Sequence, residues 1–300
     1  MKAFKTVLIT IAVLVVLVGG ILLGIGIKNQ DFSKTYGEIV DTIYEPKDEF
    51  NDISIKGDVS DFEIVKSDED KVRITCHESE KVYSTVSVSN NTLHIDQKDT
   101  RAWYEKITWF VLPNTRKLTV TIYLPKTDYQ RLSFDIATGD LCLKDVSFEN
   151  LSVKTSTGDI TFDNVKSSLF SASTSTGNIK VYNVDVLNTL DIKANTGDVL
   201  LENVNATDAI IKTATGNETL KNVISTHTLK LQASTGDIRF TCIDSKSITL
   251  KTSTGDIKGD ILTPKTFTTN KKHAVVPQTT GDECIAETSV GDIRITISNN

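Results

Sequence analysis

The chain has 300 residues, of which 39% are hydrophobic, 7% aromatic and 24% charged. Apolar residues this plentiful exclude low-complexity disorder, and only 5 prolines and 16 glycines exclude a collagen or a proline-rich stalk. A formal net charge of -6 argues against nucleic acid as a partner, because binding phosphates needs a basic face.

Residues 1–5 carry Lys2 and Lys5, and Thr6 to Ile27 then run TVLITIAVLVVLVGGILLGIGI without a charge. In a helix these 22 residues reach about 33 Å, enough for the hydrocarbon core of a bilayer. A signal peptide would have a shorter apolar region and a small-x-small exit, whereas this exit reads GIGIKNQ. The expectation is one uncleaved transmembrane helix over 6–27. By the distribution of lysines the N-terminus is cytoplasmic and the C-terminal body extracytoplasmic. Residues 28–49 are polar and mixed in charge, and read as a linker.

Residues 50–131 alternate apolar and polar side chains in short runs such as ISIKG (53–57), TLHIDQ (92–97) and KLTVTIYLP (117–125). They read as N-terminal β rungs or a cap continuous with the repeats that begin at 132. RAWYEKITWFVLP (101–113) breaks the alternation and holds both tryptophans. Trp103, Tyr104, Trp109 and Phe110 there either cover the core or offer a partner surface.

From 132 to 266 the sequence repeats. Thr-Gly-Asp/Asn recurs seven times, with Gly at 139, 158, 177, 197, 216, 236 and 255, at spacings of 19 or 20 residues. Within each unit the alternation has period 2, so the segments are strands with one buried face. Each unit reads as two short strands, a Thr-Gly-Asp corner and a second corner near Asn164, Asn183, Asn203 or Asn222. One unit cannot bury its apolar face alone, so like positions stack. The fold expected is all-β: a single-stranded parallel β-solenoid of 19–20-residue rungs, following one N-terminal helix. Residues 267–300 read as an irregular loop and a C-terminal capping rung, CIAETSVGDIRITIS (284–298).

The corner acids Asp140, Asp159, Asp198, Asp237 and Asp256 form a column with Asn178 and Asn217. Calcium between rungs is the functional reading of that column, and turn formation the structural one, since Asp and Asn favour such corners without metal. The T-x-T pairs, such as Thr155/Thr157 and Thr252/Thr254, are expected by parity to have both threonines on the core side. Cys76, Cys142, Cys242 and Cys284, with no CxxC among them, read as free structural thiols. No acid cluster outside the corner column and no GxSxG motif suggests an enzyme.

The N-terminal apolar segment, the FNDISIKG strand (50–57), TVTIYLP (119–125) and the S/A-T-G-D corners ending in SVGDIRI together resemble a family of bacterial surface proteins. That family is described as adhesin-like β-strand-repeat proteins of unknown function. It includes a membrane-anchored member encoded with an envelope-stress system. The resemblance implies a non-enzymatic envelope protein of the cell membrane with no cofactor, acting in adhesion, scaffolding or envelope stress. Its partners would be the membrane and an envelope protein or cell-wall glycan. A calcium- or glycan-binding module is the alternative, and a polysaccharide-processing enzyme stands last.

Overall fold

Strand pairing follows the repeat: Val184 lies opposite Val204, and Val204 opposite Val223. The computed structural model describes residues 37–102 and 117–298, and 39–100 with 117–298 pack as one unit. The described part is all-β, with 21 strands and no helix. The predicted membrane helix at 6–27 lies outside the described residues.

Each turn of the solenoid has three sides, one more than the periodicity suggests. In the turn that begins at β10 (Ser147–Thr157), the first side runs from Leu151 and ends at the Gly158 corner. The second is β11 (Ile160–Asp163), which ends at Asn164. The third opens β12 (Lys166–Thr176). The bend between third and first sides shows as a break in parity. Phe148 and Leu151 are both buried although three residues apart, as are Ser167 and Phe170. The alternation between 19- and 20-residue units is settled at this same bend. The register between β12 and β13 (Ile179–Thr196) slips there, and so does that between β14 (Val199–Thr215) and β15 (Glu218–Thr235). An extra residue is absorbed around Leu187 and again around His227, while both other corners keep their stacking.

The two regular corners have different chemistry. At the first, eight glycines from Gly139 to Gly291 have φ between 139° and 149°. A Cβ on Gly158 would lie 1.9 Å from the carbonyl oxygen of Gly139 in the preceding turn. Glycine is therefore required twice, by the dihedral and by the close approach of backbones. At the second corner Asn164, Asn183, Asn203 and Asn222 take left-handed φ of 52–57°, a conformation asparagine tolerates better than most residues. Inside the coil the large and small side chains offset one another. The Phe162 and Phe170 rings meet edge to face at 4.6 Å. Phe240 leans over Gly259 so closely that a Cβ there would sit 2.5 Å from its ring.

Both ends of the stack are laid down out of sequence order. At the N-terminal end β2 (Asp52–Val59) and β3 (Asp61–Lys66) come first, and β6 (Thr92–Asp99) and β7 (Thr119–Leu124) cover their outer flank. The chain then returns to stack β8 (Asp128–Thr138) and β9 (Leu141–Lys144) on the inner flank. Antiparallel β4 (Arg73–Ser79) and β5 (Val82–Ser89) close that end. Ile39–Tyr44, within the stretch expected to be linker, is β1 and pairs with β4.

At the C-terminal end β17 (Ser247–Thr254) and β18 (Ile257–Ile261) are covered by β20 (Asp282–Val290) and β21 (Ile293–Ile297). β19 (Lys265–Thr269) lies beyond β20, and Val275 bridges to Arg294 beyond β21. The last repeat is therefore not the outermost layer. The strap from 265 to 275, which from 267 onward falls in the stretch read as an irregular loop, covers it. Covering strand edges in this way limits pairing with other chains.

Candidate functional site

The Asp/Asn column at the glycine corner is a continuous hydrogen-bond ladder. The backbone N–H of each member donates to Oδ1 of its counterpart one turn back, at 2.7–2.9 Å, from Asp61 through Asp140, Asp159, Asn178, Asp198, Asn217, Asp237 and Asp256 to Asp292. Asp and Asn share that oxygen, which is why they alternate freely here. The two asparagines also donate: Asn178 Nδ2 reaches Asp159 Oδ1 at 3.2 Å, and Asn217 Nδ2 reaches Asp198 Oδ1 at 3.3 Å. The column thus carries part of its own charge compensation. Near its C-terminal end cations on the second side do the same work. Arg239, Lys258 and Arg294 pair with Asp237, Asp256 and Asp292, each two residues earlier. The Lys258 ammonium and then the Asp292 N–H hold the Asp256 carboxyl below the usual range.

Of the residues considered for calcium, Asp140, Asp159, Asp198, Asp237 and Asp256 all stand in this ladder, each with one oxygen committed to backbone. Among the described residues no three His, Cys, Asp or Glu side chains gather as a metal site. Trp103, Tyr104, Trp109 and Phe110 lie outside the described residues.

The T-x-T pairs depart from the parity expected of them. Thr155, Thr174, Thr213 and Thr252 are buried, but Thr157, Thr176, Thr215 and Thr254 are exposed. The corner begins one residue before the second threonine, so two consecutive side chains face outward. The buried hydroxyls serve the previous turn: Thr174 donates to the Gly158 carbonyl at 3.2 Å and Thr252 to that of Gly236 at 2.9 Å. At the second corner Asn183, Asn203 and Asn222 donate through Nδ2 to Asp163, Asn183 and Asn203 at 2.9–3.0 Å. All four cysteines are free, and burial pushes the Cys76 and Cys284 thiols up to about 12.

Two buried ionisable groups escape a reading based on periodicity. Glu218 is fully buried, in a column otherwise filled by Ile160, Ile179, Val199, Ile238 and Ile257. Its one visible signal is an acid standing where every other repeat is aliphatic. Lys265 is 1% exposed, with Nζ 2.8 Å from Asp244 Oδ1 and 2.7 Å from the Ser245 carbonyl. No repeat signature marks it, because it lies in the strap.

The chain is similar at low identity to solved bacterial proteins. A candidate adhesin from Bacteroides fragilis is 16% identical, covering 87% of this chain and 98% of its own, with a TM-score of 0.49. A candidate adhesin from Parabacteroides distasonis is 14% identical over 87% and 98%, with a TM-score of 0.42. A candidate lipid-binding protein from the same species is 14% identical over 86% and 97%, at 0.34. No curated protein matches the chain. The family profile described as Toastrack DUF4097 matches residues 50–296, nearly all of the described solenoid, and the chain belongs to that family.

Proposed function

We propose that this chain is a non-enzymatic protein of the bacterial envelope, held in the cell membrane by residues 6–27 and displaying its solenoid outside the cell. There it acts as an adhesive or scaffolding surface, or in envelope stress, toward an envelope protein or wall polymer. One observation carries this reading. An uncharged 22-residue segment precedes a coil whose repeated polar groups are spent on holding turns together. A solenoid built this way presents long, regular outer faces and few groups free for chemistry. The calcium alternative is weakened by the same ladder, since Asp140, Asp159, Asp198, Asp237 and Asp256 each already accept a backbone N–H.

The test is accessibility in intact cells. A tag after Asn300 is expected to be cleaved by external protease while the cell stays sealed, and photo-crosslinkers at Trp103 and Trp109 are expected to capture an envelope component. A tag protected until the cells are lysed would overturn the proposed topology.

A further inference from the structure

The first side of the coil, outside the corner ladder, has a charge pattern of its own. Its central outward column stacks Lys154, Ser173, Lys193, Lys212, Gln232 and Lys251 on six successive turns. Turns lie about 4.8 Å apart. Lys193 and Lys212 are therefore separated by about 5 Å, and each is about 10 Å from the next lysine of the row. Four like charges at this spacing repel; Asp135 and Glu287 stand next in the column beyond Lys154 and Lys251, so opposite charge reaches the ends of the row and not its middle. Among the described residues only Lys251 of the four has an ion-pair partner, Glu287 at 2.9 Å. The neighbouring outward column adds one charge of each sign, Asp191 and Lys230, so it cancels. Lys154, Lys193 and Lys212 are exposed, on a protein whose formal net charge is -6. The flanking column toward the glycine corner reads Ser156, Ser175, Asn195, Ala214, Ser234 and Ser253, so serines stand beside the ends of the row and not beside Lys193 and Lys212. Around Lys212 and Lys251 the surface dips into a shallow groove floored by Ala233 and edged by Gln232 and Ser234.

We propose that this row binds a linear phosphodiester polymer laid along the solenoid axis. The ligand class follows from the chemistry. A line of ammonium groups one or two turns apart suits a chain of regularly repeated negative charges, and the serine hydroxyls beside Lys154 and Lys251 can donate to phosphate oxygens. Among the described residues no aromatic side chain lies on this side to stack on a sugar ring, which disfavours a neutral glycan. The proposal takes its setting from the display role above, but its test is made in vitro, so failure here leaves that role standing.

The full chain in neutral detergent is titrated with poly(glycerol phosphate) and with dextran of equal length. The phosphate polymer is expected to bind with an affinity that falls steeply with salt, and dextran is not. The double variant Lys193→Gln/Lys212→Gln is expected to lose about tenfold or more in affinity. The charge-matched Lys246→Gln/Lys272→Gln, at exposed positions off the row, is expected to stay within about twofold of the parent. Absence of polymer binding at low salt, or equal loss in both variants, overturns the proposal. Capture of phosphatidylglycerol vesicles through the same lysines without binding of the free polymer also overturns it, in favour of a lipid surface.

Discussion

Thr213 Oγ1 donates a hydrogen bond of 3.1 Å to Glu218 Oε1 inside the coil, and the second carboxyl oxygen of Glu218 has no partner. The buried threonine of the turns on either side is replaced by Ala194 and Ala233, so the carboxyl lies among apolar groups. Burial pushes its pKa up to about 8, only partly offset by the hydrogen bond from Thr213.

The consequence is an unusual pH dependence. Below about 4.5 both folded and unfolded chains hold the proton. Between about 4.5 and about 8 only the folded state keeps it, so unfolding is increasingly favoured as pH rises. Above about 8 this contribution is gone, a loss on the order of a few kcal/mol. Chemical denaturation of Glu218→Gln and Glu218→Val is expected to show higher stability than the parent at pH 8, with the gap closing toward pH 4.5. A parent whose stability relative to Glu218→Gln does not change over that range would refute the buried, protonated carboxyl.

Asn178 breaks what would otherwise be a run of carboxylates. It accepts from the Asp198 N–H at 2.9 Å, while its Nδ2 donates to the Asp159 carboxylate. Asn178→Asp keeps the acceptor and removes the donor. It joins Asp61, Asp140, Asp159 and Asp198 into an unbroken run of five carboxylates about 5 Å apart, each neighbouring pair repelling by about 1 kcal/mol in water. A loss of about 1–2 kcal/mol is expected at low ionic strength, largely recovered in 1 M salt. An unchanged midpoint of unfolding at low salt would show that Asn178 contributes no charge relief.

The parts of the coil that could be read in the sequence are those with a local chemical cause. The glycine corner announces itself because no other residue fits it, and the asparagine corner because left-handed backbone selects that side chain. The third bend is silent. Phe148 to Leu151 turns inside a run of strand-like residues without glycine or proline, and a parity break across polar side chains looks like continued alternation. The T-x-T pairs mislead for a related reason, since parity was carried through Ser156 to a corner that had already begun. The strap is silent in another way. Lys265–Thr269 is a plausible strand anywhere, and its place beyond β20 depends on partners in Asp244 and Ser245, twenty residues away.

Cys242 occupies the left-handed position that asparagine holds in the four preceding turns, with φ of 55°. Its N–H donates to Asp260 Oδ2 at 2.9 Å, but it offers no amide to Asn222, and the side-chain ladder stops there. Cys242→Asn would restore a residue that tolerates the dihedral and extend the ladder by one bond. A gain of about 1 kcal/mol is expected, seen as a rise of about 2–4 °C in Tm. An equal rise in Cys242→Ser, which lacks the amide, would assign the gain to removing the thiol.

Lys265 fastens the strap that covers the final repeat. Its ammonium lies among Asp244, the Ser245 carbonyl and, at 3.7 Å, Asp282, so one side chain joins β19 to the turn beneath and to the start of β20. Removing one member of a buried ion pair leaves the other uncompensated, typically at about 3–5 kcal/mol. Asp244 keeps bonds from Thr263 Oγ1 and the Ser245 N–H, which places the expected cost of Lys265→Met toward the lower end. The loss is local as well as global. With β19 released, the outer edge of β20 loses its parallel partner, while β17 still pairs with its inner edge. Hydrogen exchange is therefore expected to quicken in 265–269 and in the β20 amides that bond to β19, with β10 to β15 unchanged. The freed edge is expected to make the variant associate as its concentration rises. Uniform loss of protection along the whole coil would mean that the strap has no local role and that the turns unfold as a single cooperative body.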